Sequence, residues 1–288
     1  MLSGPFIPRS WMGACDTFEE ADWVLVGLPY DGTTSFRPGT RFGPEAIRNA
    51  SWGLETYSPI QHAELSQVRY FDAGELEFPQ GNRDEILAII RQNAQQTLAA
   101  GKRWMGLGGE HLVTFPAIEA YIEKYPDLAV LHFDAHADLR DDYLGEKLSH
   151  ATVLRRVTEL IGPERLVQIG IRSGPKEEFE WMRQNGTLLE KPEDIARGLQ
   201  RLQGRPVFLT IDLDVLDPSI LCGTGTPEPG GMSFSTFMDW LLPFAGLNFV
   251  GADVVELSPH YDASGVSNVV AAKVVREVLL LGTPESRI

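Results

Sequence analysis

Three apolar runs of this chain end in groups that bind metal ions. Leu128–Phe133 leads into Asp134, His136 and Asp138, spaced by two. Val207–Ile211 leads into Asp212 and Asp214, also spaced by two, and then Asp217-Pro218. Arg103–Leu107 reaches Gly108-Gly109-Glu110-His111 and places an imidazole just past its end. If the first strand continues extended, Asp134, His136 and Asp138 project to one side. Polar groups closing a buried strand need partners, because leaving them unpaired costs several kcal/mol. One Asp-x-His or Asp-x-Asp alone is an ordinary solvated turn. Four carboxylates and two imidazoles from three strand ends exceed what one tetrahedral zinc needs. Oxygen-rich ligation with two histidines suits a pair of Mn²⁺-like ions, which lower the pKa of a shared water and make hydroxide at neutral pH. His132 lies inside its strand and reads as a satisfied core histidine; His62 and His260 read as loop residues.

The elements that must carry these groups alternate along the chain. Trp23–Leu28, Arg103–Leu107, Leu128–Phe133, Leu166–Ile171, Val207–Ile211 and Phe249–Leu257 read as buried strands. Arg83–Ala100 places Leu87, Ile90, Ala94 and Leu98 on one helical face behind an Asn82/Glu85 cap. Pro192–Leu202, Ser233–Leu242 and Ser267–Leu281 read as further helices. This order predicts an α/β fold of three layers, αβα, with a mostly parallel sheet and helices on both faces. Open sheets of this kind bind ligands at the carboxyl ends of their strands, where the motifs fall. No repeat or composition break divides residues 1–288, so one domain is expected. The stretch Pro29–Asn49 is different: Tyr30–Gly39 within it reads as a long loop near an early strand, of a length that is often functional.

Composition narrows the partners. With 25 Lys and Arg against 40 Asp and Glu, the net charge is −15, which disfavours nucleic acid and anionic membranes and suits a cationic substrate or metal ions. Two cysteines, Cys15 and Cys222, cannot build a disulfide framework. The first twelve residues lack the apolar core of a leader, and no run is long enough to span a membrane, so a cytoplasmic protein is expected. The glycines at 106–109 and 223–225 fit neither a dinucleotide fingerprint nor a Walker loop, and no Gly-x-Ser-x-Gly elbow is present.

Six segments, in order, resemble the ureohydrolases, the arginase/agmatinase family, and bacterial agmatinases most. They are Gly-Gly-Glu-His (108–111), Asp-Ala-His-Ala-Asp (134–138), Ser-His-Ala (149–151), Asp-Leu-Asp-Val-Leu-Asp-Pro (212–218), Gly-Thr-Gly-Thr-Pro (223–227) and Asp-Val-Val-Glu-Leu-Ser-Pro (253–259). Residues 35–48 resemble the family's N-terminal signature, and the likeness runs from about residue 20 to residue 280.

The resemblance implies two Mn²⁺ ions per subunit. His111, Asp134, Asp138 and Asp212 would hold one, and Asp134, His136, Asp212 and Asp214 the other. It implies that Glu256 grips the substrate guanidinium and that His150 shuttles a proton. A metal-bridging hydroxide, oriented by Asp138, would attack the guanidinium carbon and release urea and an amine, which is putrescine for agmatine in polyamine biosynthesis. A homotrimer or homohexamer is implied as well. Glu110 departs from the aspartate common at that position. Leu139-Arg140-Asp141-Asp142-Tyr143 stands where arginases carry the residues that hold the amino-acid head group, which favours a decarboxylated guanidino amine. Asp141 and Asp142 are candidates for its distal ammonium, with solvated loop acids the alternative. An arginase, a guanidinobutyrase, an aminopropylagmatine ureohydrolase and a formiminoglutamase are the alternatives within the family. Outside it stand a two-metal phosphoesterase, whose Gly-Asn-His segment is missing, and a metal-stabilised non-catalytic subunit.

Overall fold

A computed structural model describes residues 10–281. The leader reading therefore falls mostly outside the described residues. Ten strands form: β1 (Trp23–Leu28), β2 (Tyr57–Ser58), β3 (Ala63–Glu64), β4 (Tyr70–Glu75), β5 (Arg103–Gly108), β6 (Ala129–Phe133), β7 (Leu166–Ile169), β8 (Leu188–Leu189), β9 (Pro206–Asp212) and β10 (Asn248–Val255). Eight α-helices join them: α1 (Gly43–Ser51), α2 (Arg83–Ala99), α3 (Thr114–Lys124), α4 (Val153–Ile161), α5 (Lys176–Asn185), α6 (Ile195–Leu202), α7 (Phe234–Leu241) and α8 (Val266–Leu281).

Eight strands make one sheet in the order β4-β1-β5-β10-β9-β6-β7-β8, every neighbouring pair parallel. Both faces are covered, which is why the central strands read as continuous apolar runs. Leu25, Met105, Leu131, Leu209 and Val254 face the layer of α1, α6, α7 and α8, meeting Ile47, Leu202, Phe237 and Val274. Val24, Val26, Trp104, Val130 and Phe208 face α2 to α5, meeting Ile90, Ala117, Val157 and Met182. The expected three-layer α/β architecture is the one observed.

Local chemistry explains the element boundaries. Asn82 Oδ1 accepts the Glu85 N–H at 3.2 Å and starts α2, as its sequence predicts. The two-residue strands β2 and β3 pair as a hairpin held to α8, where Ser58 Oγ and Gln61 Nε2 each donate to Glu277 Oε2 at 2.7 Å. The loop read at Tyr30–Gly39 is observed, and the rest of the stretch to Asn49 is helical. The chain turns at Thr40 and enters α1 at Gly43, whose Pro44 has the fixed φ that a first helical turn accepts.

Candidate active site

The strands β5, β10, β9 and β6 lie side by side at the centre of the sheet, and the candidate residues follow their carboxyl ends. The spacing by two does not place them by extended alternation. β6 ends at Phe133, and Asp138 has a left-handed φ of 53°. A shared turn does the work instead. Asp134 Oδ1 accepts the His136 N–H at 2.6 Å, and Asp212 Oδ1 accepts the Asp214 N–H at 2.8 Å. In each case an aspartate folds the backbone over its own carboxylate, an Asx-turn. That leaves each Oδ2 pointing at a common centre.

At that centre His111 Nδ1 lies 3.1 Å from Asp134 Oδ2, 3.3 Å from Asp138 Oδ2 and 3.4 Å from Asp212 Oδ2. It is buried and makes no hydrogen bond, while Nε2 of the same ring is fixed by Thr210 Oγ1 at 2.9 Å. Beside it, His136 Nδ1 lies 3.0 Å from Asp214 Oδ2 and 3.7 Å from Asp134 Oδ1. Asp134 therefore belongs to both groups. Carboxylate oxygens gathered around a bare imidazole nitrogen are a donor set that fits a divalent cation, and two such groups share one aspartate.

The electrostatics agree. Burial opposes a charged His111, but Asp134, Asp138 and Asp212 override it and hold the imidazole well above its ordinary pKa. His136 is likewise disfavoured by burial yet pushed up to about 12 by Asp214 and Asp134. Burial and the charges of Asp214 and Asp134 raise Asp212 well above the carboxylate range. Without cations the cluster collects protons, the response of crowded negative charge.

Glu256 stands just past β10 with a left-handed φ of 68°, and its Oε1 accepts the His111 N–H at 2.8 Å. Burial and then Glu110 raise it well above the usual glutamate range. Two non-glycine residues in the left-handed region, Asp138 and Glu256, mark a backbone strained locally and held by its surroundings. His150 reaches the same place from the other side. Its Nε2 lies 3.1 Å from Ser35 Oγ, and burial lowers its pKa.

A cavity of about 480 Å³ joins these groups, lined by His136, Asp138, His150, Asp212 and Glu256. Its remaining wall includes Ser35, Arg140, Tyr143 and Glu178. All eight candidate residues are thus brought together, His111, Asp134 and Asp214 lying beneath the wall. Asp141 and Asp142 are not in it: Asp141 pairs with Arg156 at 2.8 Å, and Asp142 Oδ1 accepts the Gly145 N–H at 2.9 Å. The acid that does face the cavity is Glu178, which sequence reasoning missed. It is buried on α5, its Oε1 accepts the Leu139 N–H at 3.0 Å, and burial with Asp138 pushes it up to about 7. Met182 follows it by four, one helical turn on and also buried, a weak signal that this face of α5 points inward.

The other histidines are as expected or peripheral. His132 is buried with both ring nitrogens partnered; His260 packs edge-on against Phe42, and His62 sits beside Tyr57. Cys222 is exposed and not part of the cavity wall. Asp217 serves a turn, accepting from Ser219 and from the Gly230 and Gly231 N–H groups. Among the described residues no helix is long and apolar enough to cross a membrane.

The arginase family model matches residues 21–281. A Bacillus anthracis protein named agmatinase is 51% identical over 269 residues, covering 92% of this chain and 93% of its own. A Bacillus subtilis agmatinase is 48% identical over 268 residues, covering 91% and 92%. The crystal structure of the agmatine ureohydrolase of Thermoplasma volcanium matches with a TM-score of 0.85 at 30% identity, over 96% of this chain and 95% of that one.

Proposed function

The chain belongs to the arginase family, and from that premise we propose that it is a ureohydrolase converting agmatine to putrescine and urea with two Mn²⁺ ions. The observation that carries this reading is the pair of histidine–carboxylate groups sharing Asp134 beneath a cavity that also holds Glu256. The relatives named agmatinase at about half identity supply the substrate.

His111, Asp134, Asp138 and Asp212 would hold one ion, and Asp134, His136, Asp212 and Asp214 the other. Bound there, the ions would acidify a shared water and provide hydroxide at neutral pH. Glu256 binds the guanidinium: its Oε1 is anchored by His111 N–H, which aims Oε2 along a fixed line. A guanidinium is a strong partner for a buried carboxylate and relieves the crowding that raises Glu256. His150 carries the proton to the departing amine, and its lowered pKa keeps the ring neutral and able to accept one. Glu178 receives the distal ammonium, since it is the buried acid of the outer wall. The whole chain, residues 1–288, is read as one ureohydrolase domain of a cytoplasmic homotrimer or homohexamer, which light scattering on the purified protein checks.

One observation favours a second reading. Arg140 also faces the cavity, 5.0 Å from the Tyr143 ring, and would suit a carboxylate-ended guanidino compound such as guanidinobutyrate or arginine. The deciding experiment is urea release from protein stripped of metal and reloaded with Mn²⁺, with agmatine, arginine, guanidinobutyrate and aminopropylagmatine in parallel. Mn²⁺-dependent urea from agmatine above the others is expected. Preference for a carboxylate-ended compound moves the substrate to the second reading, and no urea from any arm removes the catalytic role.

A further inference from the structure

Glu110 is fully buried, and among the described residues no cation pairs with it. Its carboxylate is met instead by three donors from one loop. Thr33 N–H donates to Oε2 at 2.8 Å, Thr34 Oγ1 donates to Oε2 at 3.2 Å, and Thr33 Oγ1 donates to Oε1 at 2.5 Å. A hydroxyl has one proton and two lone pairs. While Glu110 is ionised, the proton of Thr33 is committed to its Oε1, so the hydroxyl oxygen can only accept from anything else. One lone pair takes the His150 backbone N–H at 3.0 Å. The other faces His150 Nδ1 at 3.4 Å.

We propose that Glu110 and Thr33 are positioning residues that fix the tautomer of His150, with the neutral ring protonated on Nδ1 and bare at Nε2. Two facing lone pairs would repel, so Nδ1 carries the proton toward Thr33. Nε2 is then free on the cavity side, where Ser35 Oγ lies 3.1 Å away and donates to it. The nitrogen left bare is the one that can take up a proton in the cavity and then pass it on. This rests on His150 carrying the proton as proposed above, and it adds what sets the ring in the state to do so. A carboxylate that never touches the substrate can govern a histidine by fixing its tautomer and orientation.

Glu110→Gln tests the polarity directly. Thr33 N–H and Thr34 Oγ1 both need an oxygen at the Oε2 position, so the new amide nitrogen falls at Oε1. It donates to Thr33 Oγ1, whose own proton then turns to His150 Nδ1 and moves the ring proton to Nε2. The readout is the ring ¹⁵N spectrum of the full chain labelled at histidine and loaded with diamagnetic Zn²⁺, with His150 assigned from the His150→Asn spectrum. Wild type and Thr33→Ser are expected to show protonated Nδ1, and Glu110→Gln protonated Nε2. A wild-type ring protonated on Nε2, or a Glu110→Gln ring identical to wild type, overturns the proposal.

Turnover with Mn²⁺ separates this from the parent reading. Glu110→Gln and Thr33→Val should lower kcat by about tenfold with KM little changed, Thr33→Ser should restore it, and His150→Asn should lose more. If His150→Asn is inactive while Glu110→Gln and Thr33→Val turn over normally, the positioning role is wrong. If His150→Asn turns over normally, the proton role falls, and the tautomer assignment is decided by the spectrum alone.

Discussion

His132 holds Asp134: Nε2 of the imidazole lies 2.8 Å from Oδ2 of the carboxylate two residues further along the chain, just past the end of β6. The ring's orientation is set from behind. Gln168 Nε2 donates to the Ala137 carbonyl at 3.1 Å and faces His132 Nδ1 at 3.2 Å, while Gln168 Oε1 accepts from Thr187 at 3.1 Å. With the amide so fixed, Nδ1 accepts and Nε2–H donates to Asp134. His132 therefore fixes the carboxylate that both proposed ion sites share.

His132→Phe should weaken Mn²⁺ binding about 10- to 100-fold while the protein still takes up two ions at saturation. Metal titration with elemental analysis reads both quantities. A drop to one ion would show that His132 is itself a ligand.

Mn²⁺ loading should release protons. His111 and His136 are held above the ordinary imidazole value in the free chain, and Asp212 above the carboxylate value. Ligands bind metal deprotonated, so each raised group must give up its proton and apparent affinity rises with pH. Calorimetry between pH 6 and 9, in buffers of different ionisation enthalpy, counts the protons. Binding with no proton release and no pH dependence would refute the assignment of these groups as ligands.

Glu178→Gln should raise KM for agmatine about tenfold and leave kcat nearly unchanged, because it removes a charge partner distant from the reacting carbon. The pH profile gives the sign. Burial and Asp138 bring Glu178 up to about 7, so it is neutral below that pH and charged above it. Agmatine KM should fall as pH rises from 6 to 8 in the wild type, and the variant should lose that dependence. Equal KM in both proteins across this range would mean the ammonium binds elsewhere.

Gly109→Ala should cost about 3 kcal/mol of stability and disturb the metal centre together. A Cβ there would lie 1.8 Å from the Tyr30 carbonyl oxygen, so backbone must move. The Gly109 carbonyl also accepts the Glu256 N–H at 2.9 Å, which ties the shift to the residue proposed to bind the guanidinium. Denaturant unfolding and Mn²⁺ titration of the same variant check both effects, and unchanged values in both would contradict the close approach.

The central strands were legible because burial on both faces turns them into apolar runs with polar ends. β4 was not. As an edge strand it is only partly buried, and its Asp72 is spent on the buried Arg48 at 2.8 Å. The motifs at 134–138 and 212–214 announced their chemistry through residue type, but not their geometry. Asp138 reaches the site by a left-handed residue that no spacing reveals. Glu178 stayed hidden because Lys-Glu-Glu-Phe-Glu reads as a solvated helix start, and only the packing of α5 on Leu139 buries one of its three acids. The role of Glu110 was legible in part: its departure from aspartate marked the position, but its partners lie 77 and 76 residues away.

The proposed cation donors follow the ends of the central strands β5, β9 and β6, whereas Ser35, Tyr143, His150 and Glu178 approach from loops and a helix on other parts of the chain. The proposed ion donors and the outer wall that would select the substrate are thus carried by different pieces of polypeptide. Exchange of Tyr143 or Glu178 alters no strand and no proposed ion donor, so such a scaffold can acquire a new guanidino substrate by small surface steps while the proposed reaction stays intact.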